Sequence, residues 1–313
     1  ADASGPNRSH LPSPSADRCF VGRERQLAEL ADHLDAACAG RGRVVFVSGE
    51  AGAGKTALLV EFSSQALVNH GDLVVAAGSA TVPDPGATPL LPFRTALTML
   101  TGGCAVCGAA WQLSDAQVAR LGAALPNVLH TLVSVGPHLV GSLVSAGRLL
   151  DAARAAYLED TGDFARVQAL VDAAVVPPLT SPLVNRAIDA PAVAGPELDR
   201  LIFAEAAAML EELALVQPLL LLLDDFHWAD AASLNLLFHL GKRLRTQPIL
   251  IVCAYRPAEL APTGLALAAL PARHQRDDRH GFAEQALIDT GAHLDHHARR
   301  LVPEHDRIHP MPL

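Results

Sequence analysis

A glycine-rich string at residues 49 to 56 has the residue types and spacing of a phosphate-binding loop. It reads GEAGAGKT and matches the pattern G-x-x-x-x-G-K-[ST] at every specified position. Glycine permits backbone torsions and a close approach that a Cβ would obstruct, so successive N–H groups can converge on phosphate oxygens. The string therefore predicts a loop that wraps the phosphates of a nucleotide. Its predicted phosphate-binding residues are Gly49, Glu50, Ala51, Gly52, Ala53, Gly54, Lys55 and Thr56.

Two residues at the end of this string have predicted roles of their own. Lys55 is expected to reach the β- and γ-phosphates, and the Thr56 hydroxyl is expected to ligate Mg²⁺. The helix predicted to begin near Lys55 adds the positive end of its dipole. The alternative is a glycine turn that merely joins a strand to a helix, but the buried strand RVVFVS before it and the helix after it favour phosphate binding. We therefore expect ATP or ADP to bind together with Mg²⁺.

Two adjacent acids follow an apolar strand later in the chain. Residues 219 to 230 read LLLLLDDFHWAD. An apolar strand that ends in carboxylates is the Walker-B arrangement, in which Asp224 would hold Mg²⁺ through its water shell. Asp225 would then orient or deprotonate the attacking water. The alternative for Asp225 is a helix-capping or solvated acid.

A single arginine stands at the end of the next predicted strand. Arg256 lies in the sequence CAYRP. Ligands of open α/β sheets bind beyond the carboxyl ends of the strands, so Arg256 can face the γ-phosphate and report whether it is present. A surface salt bridge is the competing interpretation.

Strands and helices alternate along the rest of the pattern. Apolar residues at helical spacing predict an amphipathic helix over 24–38, and short apolar runs predict buried strands at 43–48, 73–77, 219–223 and 249–255. This alternation predicts an α/β fold, a P-loop NTPase three-layer sandwich with a mainly parallel sheet and a helical insertion.

The sequence predicts five segments. They are a flexible leader (1–18), the first half of the ATPase core (19–100), a helical insertion with helices near 115–125, 138–157 and 163–173 (101–195), the second half of the core (196–272) and a polar, His-rich tail without clear periodicity (273–313).

Composition excludes several other classes of protein. The net charge of −9 argues against a large nucleic-acid surface, and the odd, scattered set of five cysteines without a secretory signal predicts a cytoplasmic location. Residues 121–147 carry no Asp, Glu, Lys or Arg, but two prolines and four glycines favour buried helices over a membrane span. The pair Cys104 and Cys107 lacks the second pair of ligands that a structural zinc site needs, and the histidines at 293, 296 and 297 favour a solvated, histidine-rich end over part of a metal site.

Four blocks of the sequence resemble the ATPase module of the signal-transduction ATPases with numerous domains, most closely that of MalT-like LuxR regulators and antibiotic regulatory proteins. The blocks are FVGRERQLAEL (20–30), VVFVSGEAGAGKTALL (44–59), LLLLLDDFHWADAASLNLL (219–237) and ILIVCAYRPAEL (249–260). The resemblance implies that Val21, Gly22 and Arg23 lie near the adenine and ribose and that Arg256 is the sensor arginine. His227 and Trp228 belong to the family's HWAD signature. The winged-helix, helical-repeat and helix-turn-helix domains that follow in the family are not evident after residue 262.

Three functions are consistent with these features. The first is a nucleotide-dependent switch that binds ATP and hydrolyses it slowly within a transcriptional regulator, with partner domains or a homo-oligomer as possible partners. The second is a P-loop kinase that transfers the γ-phosphate to a small molecule. The third is an oligomerisation platform that binds nucleotide without turnover.

Overall fold

A computed structural model describes residues 22–81, 88–103, 111, 113–157, 162–175 and 196–259, and the backbone of 285–289. The predicted leader, Val21, the Cys104 and Cys107 pair and the histidines at 293, 296 and 297 lie outside the described residues.

A five-stranded parallel sheet forms the centre of the molecule, with the four predicted strands and one further strand. Its strands pair in the order β2-β3-β4-β1-β5. Because all the pairs are parallel, the carboxyl ends of all the strands lie at one edge. The strands are β1 (Arg43–Ser48), β2 (Val74–Ser79), β3 (Leu219–Asp224), β4 (Ile249–Tyr255) and β5 (Gln285–Asp289).

Eight α-helices pack on this sheet and on one another within the described residues. Three short 3-10 turns, at Pro137–Leu139, Phe226–Trp228 and Pro257–Glu259, complete the elements. The helices are α1 (Glu24–Cys38), α2 (Lys55–Asn69), α3 (Leu91–Leu100), α4 (Asp115–Val135), α5 (Ala146–Ala156), α6 (Gly162–Val175), α7 (Pro196–Val216) and α8 (Ala231–Arg243). The predicted α/β P-loop NTPase fold with a helical insertion is confirmed.

Strand β3 is apolar because both of its faces are covered. Its residues Leu219 to Leu223 are all at most 3% exposed. Each fully buried leucine contributes about 1.5–3 kcal/mol to stability. This strand lies between β2 and β4, so it holds the acids at its end in a fixed place relative to the neighbouring strands.

Helix α4 joins the helical insertion to the sheet. It contacts β2 and α7, and the Gln117 side-chain amide donates to the carbonyl oxygen of Val75 over 3.4 Å. It is also the one described helix that is long and apolar enough to span a membrane by length and composition. Its apolar face, including Leu121, Val128 and Leu129, is buried within the protein.

The structure differs from the sequence-based expectations in three places. The helix expected at 115–125 continues through Pro126 to Val135, because buried apolar residues on both sides of the proline hold the helix together. The helix expected from 138 begins at Ala146, after a 3-10 turn and Gly141, whose φ is +84°. Residues 285–289, within the expected polar tail, form β5 beside β1. The other segment boundaries stay predictions.

The close packing of β2 against α3 requires glycine at position 78. A Cβ on Gly78 would lie 1.8 Å from the carbonyl oxygen of Pro92. Gly78→Ala should therefore lower the free energy of unfolding by about 1–3 kcal/mol. Chemical denaturation measures this change. Gly71→Ala is the matched control, since no described atom lies within 4 Å of a Cβ there, and an equal loss in both variants would contradict the packing explanation.

Candidate functional site

The glycine-rich string forms a loop between β1 and α2 at the carboxyl edge of the sheet. Gly52 and Gly54 have φ values of +75° and +76°, a region that strongly favours glycine. The N–H of Ala53 donates to the carbonyl oxygen of Glu50 over 3.1 Å, which closes a turn inside the loop. No described side chain caps α2 at Gly54, so the N-terminal N–H groups of this helix are oriented to bind an anion.

The Lys55 ammonium group lies inside the loop. Its Nζ donates to the carbonyl oxygens of Gly49 at 2.8 Å and Glu50 at 2.9 Å, and the residue is 6% exposed. Burial lowers the pKa of Lys55, and the positive charge of Arg256 lowers it further. A bound polyphosphate would add negative charge beside this ammonium group and favour its charged form.

Thr56 and Asp224, the two residues predicted to hold Mg²⁺, are in direct contact. The Thr56 hydroxyl donates to Oδ2 of Asp224 over 2.5 Å, although the residues are 168 positions apart. Oδ1 of Asp224 accepts a hydrogen bond from the N–H of Asp225 over 2.8 Å. A hydroxyl and a carboxylate beside a phosphate loop are the oxygen ligands that Mg²⁺ uses, with phosphate and water oxygens in the remaining positions. The residues therefore fit the metal.

Asp224 is buried, being only 3% exposed. Burial raises the pKa of its carboxyl group, and the hydrogen bond from Thr56 offsets part of that rise. Burying this carboxylate without a cation costs free energy, so a bound divalent cation would lower that cost.

Asp225 has a left-handed backbone conformation with φ of +48°. Such a conformation costs a non-glycine residue about 1–2 kcal/mol. Its carboxylate is one-third exposed and makes no cap hydrogen bond, whereas Asp230 caps α8 by accepting from the N–H of Ser233 over 3.2 Å. The capping role considered for Asp225 in the sequence therefore belongs to Asp230.

Arg256 follows β4, the strand between β1 and β3. Its Nη2 lies 3.7 Å from Oδ1 of Asp225, and its Nη1 donates to Oε1 of Glu259 over 2.9 Å. The arginine therefore forms the partly exposed salt bridge that the sequence also allowed, and its proximity to a γ-phosphate stays a prediction.

His227 lies next to the carboxylates of Asp225 and Glu259. Its side chain is fully buried, with Nδ1 3.9 Å from Asp225 and Nε2 3.3 Å from Glu259. Burial lowers the pKa of the imidazole. The ring also stacks at an angle on Trp228, with 4.9 Å between the ring centroids.

Arg23 also contacts the loop. Its Nη2 donates to the carbonyl oxygen of Ala53 over 2.5 Å. Gly22, just before it, has φ of +86° and donates its N–H to Glu24. The start of α1 therefore lies beside the glycine-rich loop, and the assignment of Gly22 and Arg23 to the adenine and ribose stays a prediction.

Comparison with known proteins identifies the family. The family described as AAA ATPase domain matches residues 19–252, about three-quarters of the chain. The chain belongs to this AAA ATPase domain family. Among solved structures, VirB4 of Thermoanaerobacter pseudethanolicus is similar at 12% identity over 79% of this chain and 77% of that chain, with a TM-score of 0.27, which is too distant to bear on function. No curated protein matches the sequence significantly.

The AAA ATPase domain brings most of its predicted site residues to one edge of the sheet. The loop, both acids and Arg256 meet there, and Val21 lies outside the described residues. No role for Glu259 was predicted from the sequence. Its spacing of three residues from Arg256 is the signal that could have indicated their ion pair.

Lys55→Ala in the AAA ATPase domain is expected to weaken binding of ATP and ADP by about tenfold to a hundredfold, because it removes a charged hydrogen-bond donor to the phosphates. Isothermal titration calorimetry in the presence of Mg²⁺ measures this loss. The control is Lys242→Ala, at the only other lysine of the chain, on the surface of α8. Unchanged affinity in Lys55→Ala would contradict the phosphate assignment.

Asp224→Asn should raise the melting temperature of the nucleotide-free protein at neutral pH while removing the dependence of nucleotide affinity on Mg²⁺. The pKa of Asp224 is raised in the folded state, so the wild-type protein loses stability as the pH rises through that pKa. The advantage of the variant should therefore shrink as the pH falls toward about 4, the ordinary value for aspartate. Melting curves over this pH range, with calorimetry with and without Mg²⁺, test both effects. A variant less stable than the wild type at neutral pH would refute the charge-burial explanation.

Proposed function

We propose that this AAA ATPase domain is the ATP-binding and slowly hydrolysing switch module of a signal-transduction ATPase, the ATPase portion of a LuxR-type transcriptional regulator inside the cell. The observation that carries the proposal is the placement of Asp225 and Arg256, 3.7 Å apart, beside the Thr56 and Asp224 pair. Binding alone requires only the loop and the metal ligands. A second acid and an arginine at the same edge supply what hydrolysis and its detection need.

The residues divide the work of binding and hydrolysis. The loop amides and Lys55 bind the phosphates, and Thr56 and Asp224 hold Mg²⁺, which when bound offsets phosphate charge. Asp225 is one-third exposed and can accept a hydrogen bond from a water molecule, which it orients toward the γ-phosphate.

Arg256 gives the site a means to distinguish ATP from ADP. Its guanidinium group can donate to a γ-phosphate oxygen, and hydrolysis removes that acceptor. Because β4 lies between β1 and β3, Arg256 stands between the phosphate loop and the two acids. The loss of the γ-phosphate therefore changes the contacts of Arg256 with the phosphate loop and with the two acids.

The regulator role rests on the four sequence blocks that resemble the LuxR-type ATPase modules. Those blocks contain the loop, both acids, Arg256 and His227, which are the residues that the structure brings together. A switch that turns over slowly also agrees with a site in which Arg256 is already paired with Glu259.

Asp225→Asn is expected to lower the rate of phosphate release from ATP by about a hundredfold or more while nucleotide binding is retained, because it removes the group that orients the water. A phosphate-release assay and calorimetry on the same samples measure both. Asp151→Asn, at an exposed carboxylate on α5, is the control.

Three outcomes would each count against the proposal. Equal hydrolysis in the wild type and Asp225→Asn would remove the role of this acid. A phosphorylated small molecule in place of free phosphate would favour a kinase. Tight binding without any turnover would favour an oligomerisation platform.

A further inference from the structure

The Arg256 guanidinium group contacts two carboxylates, one of which is closer than the other. Its Nη1 donates to Glu259 over 2.9 Å, whereas its Nη2 is 3.7 Å from Asp225, beyond hydrogen-bonding distance. Glu259 lies in the 3-10 turn directly after Arg256, and its N–H donates to the carbonyl oxygen of Arg256 over 3.2 Å. The stronger partner of the arginine is therefore an acid from its own loop and is neither Asp224 nor Asp225.

The same Glu259 carboxylate has a second potential partner on its other side. Oε2 of Glu259 lies 3.3 Å from Nε2 of His227 without forming a hydrogen bond of good geometry. The His227 side chain is fully buried, and neither ring nitrogen has a hydrogen-bond partner among the described residues. A buried polar group without a partner is unfavourable, so the ring is placed to donate an N–H hydrogen bond to the Glu259 carboxylate when that carboxylate moves.

We propose that Glu259 is a latch on the sensor arginine: it holds Arg256 when no γ-phosphate is present and transfers its contact to His227 when a γ-phosphate takes the arginine. This proposal rests on the proposed ATPase switch and names Glu259 and His227 as positioning residues of its sensor. Neither residue needs to touch the nucleotide for this role.

The latch affects ATP and ADP differently. When Arg256 turns toward a γ-phosphate, it gives up at least part of its hydrogen bond to Glu259, and that loss reduces the apparent affinity for ATP. ADP offers no γ-phosphate and leaves the pair intact. Because Arg256 and Glu259 are each about one-third exposed, solvent weakens their attraction and the expected effect is modest.

Glu259→Gln is expected to raise the affinity for a non-hydrolysable ATP analogue by about two- to fivefold without changing the affinity for ADP. Calorimetry with Mg²⁺ and each nucleotide measures the ratio of the two affinities. In an Arg256→Ala background, Glu259→Gln should leave this ratio unchanged, because the group that the latch holds is absent. Glu211→Gln breaks a comparable ion pair with Arg243 on the outer helices and should give the same ratio of affinities as the wild type.

Two further variants test the exchange itself. Glu259→Asp retains the charge on a shorter side chain and should give a ratio between those of the wild type and Glu259→Gln. It also replaces Glu259→Gln as the test if that variant does not fold. His227→Phe removes the second partner of Glu259 and should lower the affinity for the ATP analogue, with ADP affinity unchanged.

Several results would overturn the latch. They are an unchanged ratio in Glu259→Gln, a lower affinity for the ATP analogue in that variant, or an equal change when Arg256 is absent. A lower affinity would mean that Glu259 holds the arginine in its working position. A failure of the proposed function is measured separately, as wild-type protein that binds nucleotide without releasing free phosphate, whereas the affinity ratios of these variants do not depend on turnover.

Discussion

The hydrogen bond between Thr56 and Asp224 is the contact on which the site depends. It joins the first residues of α2 to the end of β3 across the intervening strand β4. The bond exists only if the sheet places the carboxyl ends of β1 and β3 at the same height, and their registers with β4 do so: Ser48 pairs with Tyr255, and Leu223 pairs with Cys253. The long apolar core thus fixes one short polar contact, and that contact defines where a metal ion can be held.

The core that fixes this contact also raises the free-energy cost of the charge on Asp224. Asp224 ends a strand of five buried leucines, so its carboxyl group is placed in an environment that disfavours charge. Lys55 is in the complementary situation, because burial and Arg256 disfavour its positive charge. The two groups are thus both destabilised in the nucleotide-free protein and would both be favoured by a metal-bound polyphosphate. The site therefore lowers the stability of the nucleotide-free protein and in return favours the binding of a metal-bound nucleotide.

Much of this arrangement could be predicted from the sequence, and the reason is topological. Parallel strands bring their carboxyl ends to one edge, so residues placed just after apolar runs, such as Lys55, Asp224, Asp225 and Arg256, had to meet there. The approach of Glu259 to His227 could not be predicted in this way, because it depends on the left-handed turn at Asp225 and on side-chain directions. Strand β5 was missed because QALID is short and pairs through its backbone with a strand more than two hundred residues away.

The unusual backbone of Asp225 also has an evolutionary consequence. Asparagine tolerates the left-handed region as aspartate does, so the turn at this position can keep its shape when the carboxylate is lost. A single-base change in an aspartate codon gives asparagine. If Asp225 has the proposed role, this one substitution would let a lineage lose hydrolysis, and regain it, while the backbone of the turn is kept.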